Sequence, residues 1–419
     1  MRILIVHPEG NINNNPNLFA LTEVLSENGY KIDILSQKYS EKYQSESEFF
    51  NVFLLTKFSF LIGASKNKNF RTWFLRLFLK FVGRRYALII GVDRDGIIAG
   101  SLISQVSNAP LAYISYEIFF KVEIGDEAKQ EEVDACRDIL FAICQDDLRA
   151  TKLAEENEIP LEKIICIPVA GHSSVENQTE TNYFRDEFGI KPEKKIALYM
   201  GSIDDWAGAS RILDDLHRWP ENWVLVLHGR YSGDEQYAIV EKLPKRASEH
   251  LYVSKKPLET FSELYQLPLS ADIGIAMYVP DFKNPCTGNN LKYLGWASGK
   301  ISTYFQCGLP VIVNDIGLIS DAVKKYDLGH VVKNAENISD VLKEIDCLSI
   351  SKKKDHCRRF FLKNLDFNLY KKDVLEAFGK SIRRDIKYFF IPLGMLLAFM
   401  NTYFFLCLCK HRLIQQKDT

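Results

Sequence analysis

The sequence predicts an α/β protein of two doubly wound parallel sheets, one after the other. The chain has 419 residues, which is enough for two or three domains. Short apolar runs alternate with helical spacing from the N-terminus onward, and this alternation is typical of parallel sheets. The same alternation starts again after a polar stretch at 172–194. We therefore expect two Rossmann-like halves that face each other across a cleft.

The first half begins with a strand, a loop, a helix and a second strand. Its helix ends at Asn28-Gly29, a favourable C-terminal cap. The pattern predicts strands at 2–7, 31–35, 86–90, 111–115, 139–144 and 163–168, and helices at 18–27, 97–105 and 147–157. In this prediction Asp93, Arg94 and Asp95 lie in a loop over 91–96, directly after a buried strand.

The second half repeats the pattern. It predicts strands at 196–200, 223–228, 271–276 and 310–314, and helices at 209–219 and 300–307. Ligands of such sheets bind at the carboxyl ends of the strands, so the cleft is the expected site. The chain has neither GxGxxG nor GxxxxGK[ST], so dinucleotide oxidoreductases and P-loop proteins lose their main sequence support.

Composition excludes several other classes of protein. Hydrophobic residues make up 47% and charged residues 26%, which are ordinary globular values. The 53 basic and 54 acidic residues leave a net charge of -1, so no global basic excess indicates nucleic acid. The nine cysteines form no CxxC pair, which disfavours a structural zinc site and a disulfide framework and favours a reducing compartment. The first residues are too short an apolar run for a secretion signal.

Four segments of the second half carry a family resemblance. They are IALYMGS at 196–202, VLVLHGR at 224–230, LSADIG at 269–274 and GKISTYFQCGLPVI at 299–312. These segments resemble the GT-B glycosyltransferases, particularly the retaining family 4 group, and the last segment is the most specific. The resemblance spans about residues 1–345 and implies a GT-B fold, to which the uncharged stretch near the C-terminus would add a hydrophobic helix. It also implies transfer of a sugar from a nucleotide-sugar donor, without a metal and with no cofactor beyond that substrate.

The chain departs from the family pattern at several positions. The two glutamates that the family usually carries align with Gly295 and Thr303. The family's basic pair aligns with Ser202 and Ala207, and its first-domain histidine aligns with Tyr116.

Glycosyl transfer leaves a diphosphate whose new charge the protein must stabilise with backbone amides, helix N-termini or cations. The candidate donor residues lie after strands, at a helix start or in the polar loop before it. They comprise phosphate contacts from Gly201 and Ser202, cations from Arg230 and Lys300, a ribose contact from Thr303, and sugar contacts from Asn289, Asn290 and Ser298. Taken singly, each also fits an ordinary turn or a solvated side chain.

The candidate catalytic residues lie in the first half. Glu117 and Asp93 each follow a predicted strand, and a carboxylate there can orient or deprotonate an acceptor hydroxyl. For Asp95 and the pair Asp146-Asp147, helix capping is the better interpretation. Asp93-Arg94-Asp95 spells DxD, but it lies away from the expected donor half and is not interpreted as a metal site.

Two regions indicate a membrane. From Phe49 to Val92 the chain has no Asp or Glu but eight Lys and Arg residues interleaved with aromatic residues, a pattern typical of membrane-surface binding. A core-packed helix with a solvated basic face is the alternative. The uncharged stretch 388–409 would make a helix of ~33 Å, enough to cross a bilayer core. A spanning helix, a dipping anchor and a buried helix all remain open for it.

These observations predict a glycosyltransferase that moves a sugar, with retention, from a nucleotide sugar to a lipid-linked or polysaccharide acceptor. It would act at the cytoplasmic face of the cell membrane, peripheral or anchored through its C-terminal helix, without nucleic acid. The alternatives are a nucleotide-sugar epimerase of GT-B shape and a catalytically degenerate partner subunit. The predicted divisions are an acceptor domain at 1–171, a linker at 172–194, a donor domain at 195–350, returning helices at 351–387 and a hydrophobic helix at 388–410.

Overall fold

Two parallel β-sheets covered by helices make up the computed structural model of the chain. The structure describes residues 1–10, 15–36, 50–54, 85–173, 180–229, 237–256, 258 and 261–383. Met1–Ser381 forms one unit that contains both sheets, and Ile382–Thr419 forms a second unit. Of the predicted basic and aromatic region 49–92, residues 49 and 55–84 lie outside the described residues, as do the whole stretch 388–409 and Arg230. Within the described residues, no helix is long and apolar enough to cross a membrane.

The first sheet has seven parallel strands in the order β3-β2-β1-β4-β5-β6-β7. These are β1 Arg2–Val6, β2 Lys31–Ser36, β3 Phe50–Leu54, β4 Leu88–Val92, β5 Leu111–Ile114, β6 Ala142–Cys144 and β7 Ile164–Cys166. The described helices of this half are α1 Pro16–Glu27, α2 Asp93–Ser107, α3 Lys121–Ile124, α4 Asp126–Cys136 and α5 Asp147–Asn157.

The second sheet has six parallel strands in the order β10-β9-β8-β11-β12-β13. These are β8 Lys195–Gly201, β9 Trp223–Gly229, β10 Leu251–Ser254, β11 Ile273–Ala276, β12 Val311–Asn314 and β13 Gly329–Val332. Its described helices are α6 Tyr183–Phe188, α7 Ala209–Asp215, α8 Lys245–Ser248, α9 Phe261–Leu269, α10 Asn289–Lys292, α11 Gly299–Gln306, α12 Leu318–Tyr326, α13 Ile338–Glu344 and α14 Cys347–Asn364, and α15 Lys371–Arg383 follows them.

The central strands are apolar along their length because helices cover both faces of each sheet. Every residue of β4 and β9 is buried, and only the first residue of β1 is partly exposed. In each sheet the strand order reverses beside the first strand of that half, β1 or β8. Such a reversal opens a crevice at the carboxyl ends of the neighbouring strands. This crevice is where the fold places a ligand.

The last two described helices belong to different cores. Phe361 of α14 packs in the same cluster as Ile301 of the second half. Val374 and Phe378 of α15 pack in the first-half cluster, where the rings of Phe141 and Phe378 lie 5.3 Å apart. The chain therefore returns to the first half after completing the second.

The structure corrects the predicted loop at 91–96. Helix α2 begins at Asp93, so Asp93, Arg94 and Asp95 form its first turn. The early start is possible because the strand and the helix approach closely: a Cβ at Gly91 would lie 2.4 Å from the Ile97 Cα. Asp and Gly are the residues that most often signal a turn, and this local signal misled the prediction.

The predicted linker at 172–194 is also partly structured. It contains helix α6, whose Phe184 is fully buried in the core of the second half. The packing of the second half therefore begins before the first strand of its sheet.

Candidate functional site

Three of the residues predicted to bind a donor lie at the end of β8 and the start of α11. Gly201 ends β8 with a φ of +121°, and a Cβ there would lie 3.0 Å from the Lys300 Cε. Ser202 follows and is buried, with its carbonyl accepting a hydrogen bond from the Tyr199 hydroxyl at 2.6 Å. The structure thus brings Gly201 and Lys300 together, with Ser202 next to Gly201 in the chain.

Aromatic rings hold the Lys300 ammonium. Its Nζ lies 4.7 Å from the centroid of Tyr199 and 5.5 Å from that of Tyr278. The Tyr278 hydroxyl is 2.5 Å from the Ser298 Oγ, and this oxygen caps α11 by accepting from the Ile301 amide at 3.3 Å. The cation–π contacts place the ammonium at this corner, and the helix start adds positive potential, so the corner favours an anion.

Hydroxyl groups follow Lys300 on the inner side of α11. Thr303 is 4% exposed, so its hydroxyl lies at the edge of the core rather than in open solvent. Ser302 is fully buried, and its Oγ has no hydrogen-bond partner among the described residues. Nothing in the sequence distinguishes Ser302, Tyr199 and Tyr278 from core residues, because tyrosines near the ends of buried strands are common in cores.

The two carboxylates predicted to contact an acceptor lie at the end of β5 and the start of α2. The Asp93 Oδ1 accepts from the backbone amides of Tyr116 and Glu117, at 2.7 and 2.9 Å. The Asp93 backbone adopts a left-handed φ of +54°. The structure therefore joins Asp93 and Glu117, and one oxygen of Asp93 positions the loop that carries Glu117.

Burial raises the pKa of the Asp93 carboxyl well above its usual range. The neighbouring charges of Glu117 and Glu9 raise this pKa further, and the two backbone hydrogen bonds oppose them. A carboxyl whose pKa is raised holds its proton more readily than an exposed aspartate, which suits it to exchange a proton.

Asn289 and Asn290 contact the first half of the chain. The Asn289 backbone and side-chain nitrogens donate to the Glu123 Oε1 at 2.7 and 3.1 Å. The Asn290 side chain donates to the Glu117 Oε2 and accepts from the Ile118 amide at 3.0 Å. Both asparagines therefore join the two halves through carboxylates of the first half, and their sugar contacts stay predictions.

Arg149 is the centre of this interface and is fully buried. Its guanidinium donates to the carbonyls of Tyr116 at 2.7 Å and Tyr293 at 3.0 Å, and to the side-chain oxygens of Gln145 at 2.6 Å and Asn290 at 3.0 Å. Burial lowers the pKa of Arg149, and the charges of Glu117 and Asp146 oppose this shift. Because an arginine in the first turn of a helix is usually exposed to solvent, the sequence did not predict that Arg149 joins the two halves.

Comparison with solved structures identifies the fold. The Anabaena protein HepE, in complex with UDP and glucose, matches with a TM-score of 0.70 at 12% identity, over 91% of this chain and all of that one. Sucrose-phosphate synthase from Thermosynechococcus elongatus matches with 0.69 at 15% identity, over 91% and 98%. The glycosyltransferase WaaG of lipopolysaccharide biosynthesis matches with 0.61 at 13% identity, over 90% and 99%.

The chain has the GT-B fold of glycosyltransferases. Within it, residues 244–377 match the family model of the glucosyltransferase 3-like C-terminal domain. A search of curated proteins finds no match. The second half of this GT-B protein is therefore similar to a glycosyltransferase domain, and the matched residues include Asn290 and Lys300.

The structure explains why position 295 holds a glycine. Gly295 has a φ of +50°, and a Cβ there would lie 1.9 Å from the Asp146 Oδ2. Asp146 caps α5 through the Arg149 amide at 3.0 Å, as expected, and also accepts from the Trp296 amide at 2.8 Å. The glutamate that the family pattern places at Gly295 has no room here, because a first-half carboxylate occupies the space.

Gly295→Ala tests this fit. The new Cβ would displace the Asp146 carboxylate and adopt a left-handed φ, so we expect the free energy of unfolding to fall by about 3 kcal/mol or more. Gly189→Ala is the matched control, because Gly189 also has a positive φ but nothing lies within 4 Å of its added Cβ. The control should lose about 1 kcal/mol in urea unfolding. Equal losses in the two variants would show that the contact with Asp146 is unimportant.

A second prediction separates the two roles of Asp93. The pKa of Asp93 is raised in the folded protein. At pH values above the ordinary pKa of an aspartate, the folded protein therefore keeps a proton on Asp93 that the unfolded chain has already released. The stability that Asp93 contributes therefore falls as pH rises through this window. Asp93→Asn keeps an acceptor for both amides without a charge, so its stability relative to wild type should increase from pH 4 toward pH 8. Asp93→Ala loses the acceptor and should be less stable than Asp93→Asn by about 1–3 kcal/mol at each pH. Urea unfolding across this pH range measures both, and a constant gap between Asp93→Asn and wild type contradicts the prediction.

Proposed function

We propose that the protein is a glycosyltransferase that moves a sugar from a UDP-linked donor to a hydroxyl group of an acceptor. The observation that carries the proposal is the cationic corner of Gly201 and Lys300 at the start of α11. This corner lies at the interface between the halves, because a Cβ at Gly299 would be 3.2 Å from the Val169 side chain. The choice of UDP rests on the two HepE complexes, which contain UDP and glucose and UDP-glucose.

The donor half would stabilise the leaving diphosphate. Lys300 would offset its developing charge, and the amides of Gly201 and Ser202 would approach it closely because Gly201 has no side chain. Thr303 would contact the ribose. Arg230 stays a prediction as the second cation.

The acceptor half would orient the attacking hydroxyl through a carboxylate. We assign this contact to Glu117, with Asp93 as its support, because Asp93 holds the Glu117 amide and has a raised pKa. We further propose that transfer retains the configuration of the sugar and needs no metal ion, as the resemblance to family 4 implies. Product stereochemistry by NMR and turnover in EDTA test these two points.

Lys300→Met tests the donor site. The variant keeps the aliphatic packing against Tyr199 and Tyr278 and loses the charge, so we expect UDP to bind about 10- to 100-fold more weakly by calorimetry. Lys292→Met is the matched control, because the Nζ of this exposed lysine also lies over a ring, 5.5 Å from the centroid of Tyr293. The control should bind UDP as the wild type does. If neither variant weakens binding, the cationic corner is not the donor site.

The acceptor proposed here is lipid-linked or a polysaccharide at the cytoplasmic face of the membrane. The support comes from the sequence: the basic, aromatic region 49–92 and the uncharged stretch 388–409. Salt screens the first contribution but not the second. The full chain should therefore sediment with vesicles containing anionic lipid even after a high-salt wash. A chain that ends at Ile386 should bind these vesicles only at low salt. Recovery of the full chain as a monodisperse species without detergent would remove the anchor from the proposal.

A further inference from the structure

The side-chain amide of Asn290 can take only one orientation. Its Oδ1 accepts from the Ile118 amide and from the Arg149 guanidinium, each at 3.0 Å. Both partners are donors with no lone pair to offer, so a flipped amide would set donor against donor. The NH₂ group must therefore face the Glu117 carboxylate, to which it donates.

The backbone around Glu117 is held from two other directions. The Glu117 amide donates to the Asp93 Oδ1, and the preceding carbonyl, of Tyr116, accepts from Arg149. Asn290 then fixes the side chain and bonds the following amide, of Ile118. Asp93 and Arg149 belong to the first half, whereas Asn290 belongs to the second.

We propose that Asn290 is the positioning residue of Glu117, and that the donor half uses it to orient the carboxylate that meets the acceptor. This inference rests on the proposed function for what Glu117 does, whereas the contact itself does not. Its consequence is that Glu117 is oriented only while the two halves are in contact. Asn290 thus affects the attack of the acceptor and not the binding of the donor.

Asn290→Asp tests the proposal with a side chain of the same shape. The variant keeps the oxygen that faces Arg149 and Ile118, but it loses the donor to Glu117 and places a second carboxylate against it. We expect kcat to fall at least about tenfold, with KM for UDP-glucose within about threefold of wild type. The assay measures UDP release by the full chain from UDP-glucose with water as the acceptor.

Asn157→Asp is the matched control. Asn157 is buried in the first half, where its Oδ1 accepts from Lys129 at 2.6 Å and its Nδ2 donates to Glu132 at 2.7 Å. It has the same chemistry as Asn290: a cation on one side and a carboxylate on the other. The control should lower the melting temperature about as much as Asn290→Asp does, and it should leave kcat unchanged. A loss of kcat equal to that of Asn290→Asp would reduce the role of Asn290 to general stability.

The double variant Asn290→Asp/Glu117→Gln tests the hydrogen bond between residues 290 and 117 separately from its effect on turnover. The glutamine can donate to the new aspartate, so the hydrogen bond is restored in the opposite direction. We expect the melting temperature to recover most of its loss while kcat stays as low as in Glu117→Gln alone. If the melting-temperature losses of the two single variants simply add in the double variant, the contact is overturned and the proposed function is left intact. Wild-type turnover in Glu117→Gln would overturn the role of Glu117, and with it the positioning role of Asn290.

Discussion

The buried guanidinium of Arg149 is the interaction on which the arrangement of the two halves depends. It has no exposed surface, and it donates to carbonyl or amide oxygens of both halves. A buried charge is costly unless its hydrogen bonds are satisfied, and here the partners come from segments more than 100 residues apart in sequence. Neither half alone can supply these partners, so the charge makes contact between the halves a condition of stability.

The groups proposed to contact the donor and the acceptor carry opposite charges. The second half contributes a lysine between two aromatic rings, and the first half contributes Asp93, Glu117 and Glu123. A cation suits a leaving diphosphate and a carboxylate suits a neutral hydroxyl, so the polarity agrees with the division of labour proposed for the two halves. The same carboxylates would repel an acceptor that carries a negative charge near its attacking hydroxyl group.

The fold was predictable because its signals are local. Strands such as β1 and β9 are continuous apolar runs, and the segment 299–312 predicts a helix followed by a strand by composition and spacing alone. The start of α2 was missed for the same reason, since Asp-Arg-Asp-Gly carries a local turn signal that close packing overrides. The comparisons confirm the GT-B fold on the same chain.

The candidate site was predictable only in part. Gly201 and Lys300 could be paired because each follows a structural signal, a strand end or a helix start. The partners of Asn290 could not, because its contacts join residues 118, 149 and 290, and no spacing rule relates them. Asp146 was recognised as a cap, but its second role, against Trp296, depends on the docking of the halves.

The interface also limits how this protein can be recombined. GT-B halves resemble separate modules, and exchanging the second half for that of a relative would be the obvious route to a new donor preference. Here such a chimera would bring a foreign loop against Arg149, without Asn290 and the Tyr293 carbonyl in register. A glutamate at position 295 of the incoming half would in addition collide with Asp146. The practical module is therefore the second half together with the loop at 115–118 and the start of α5.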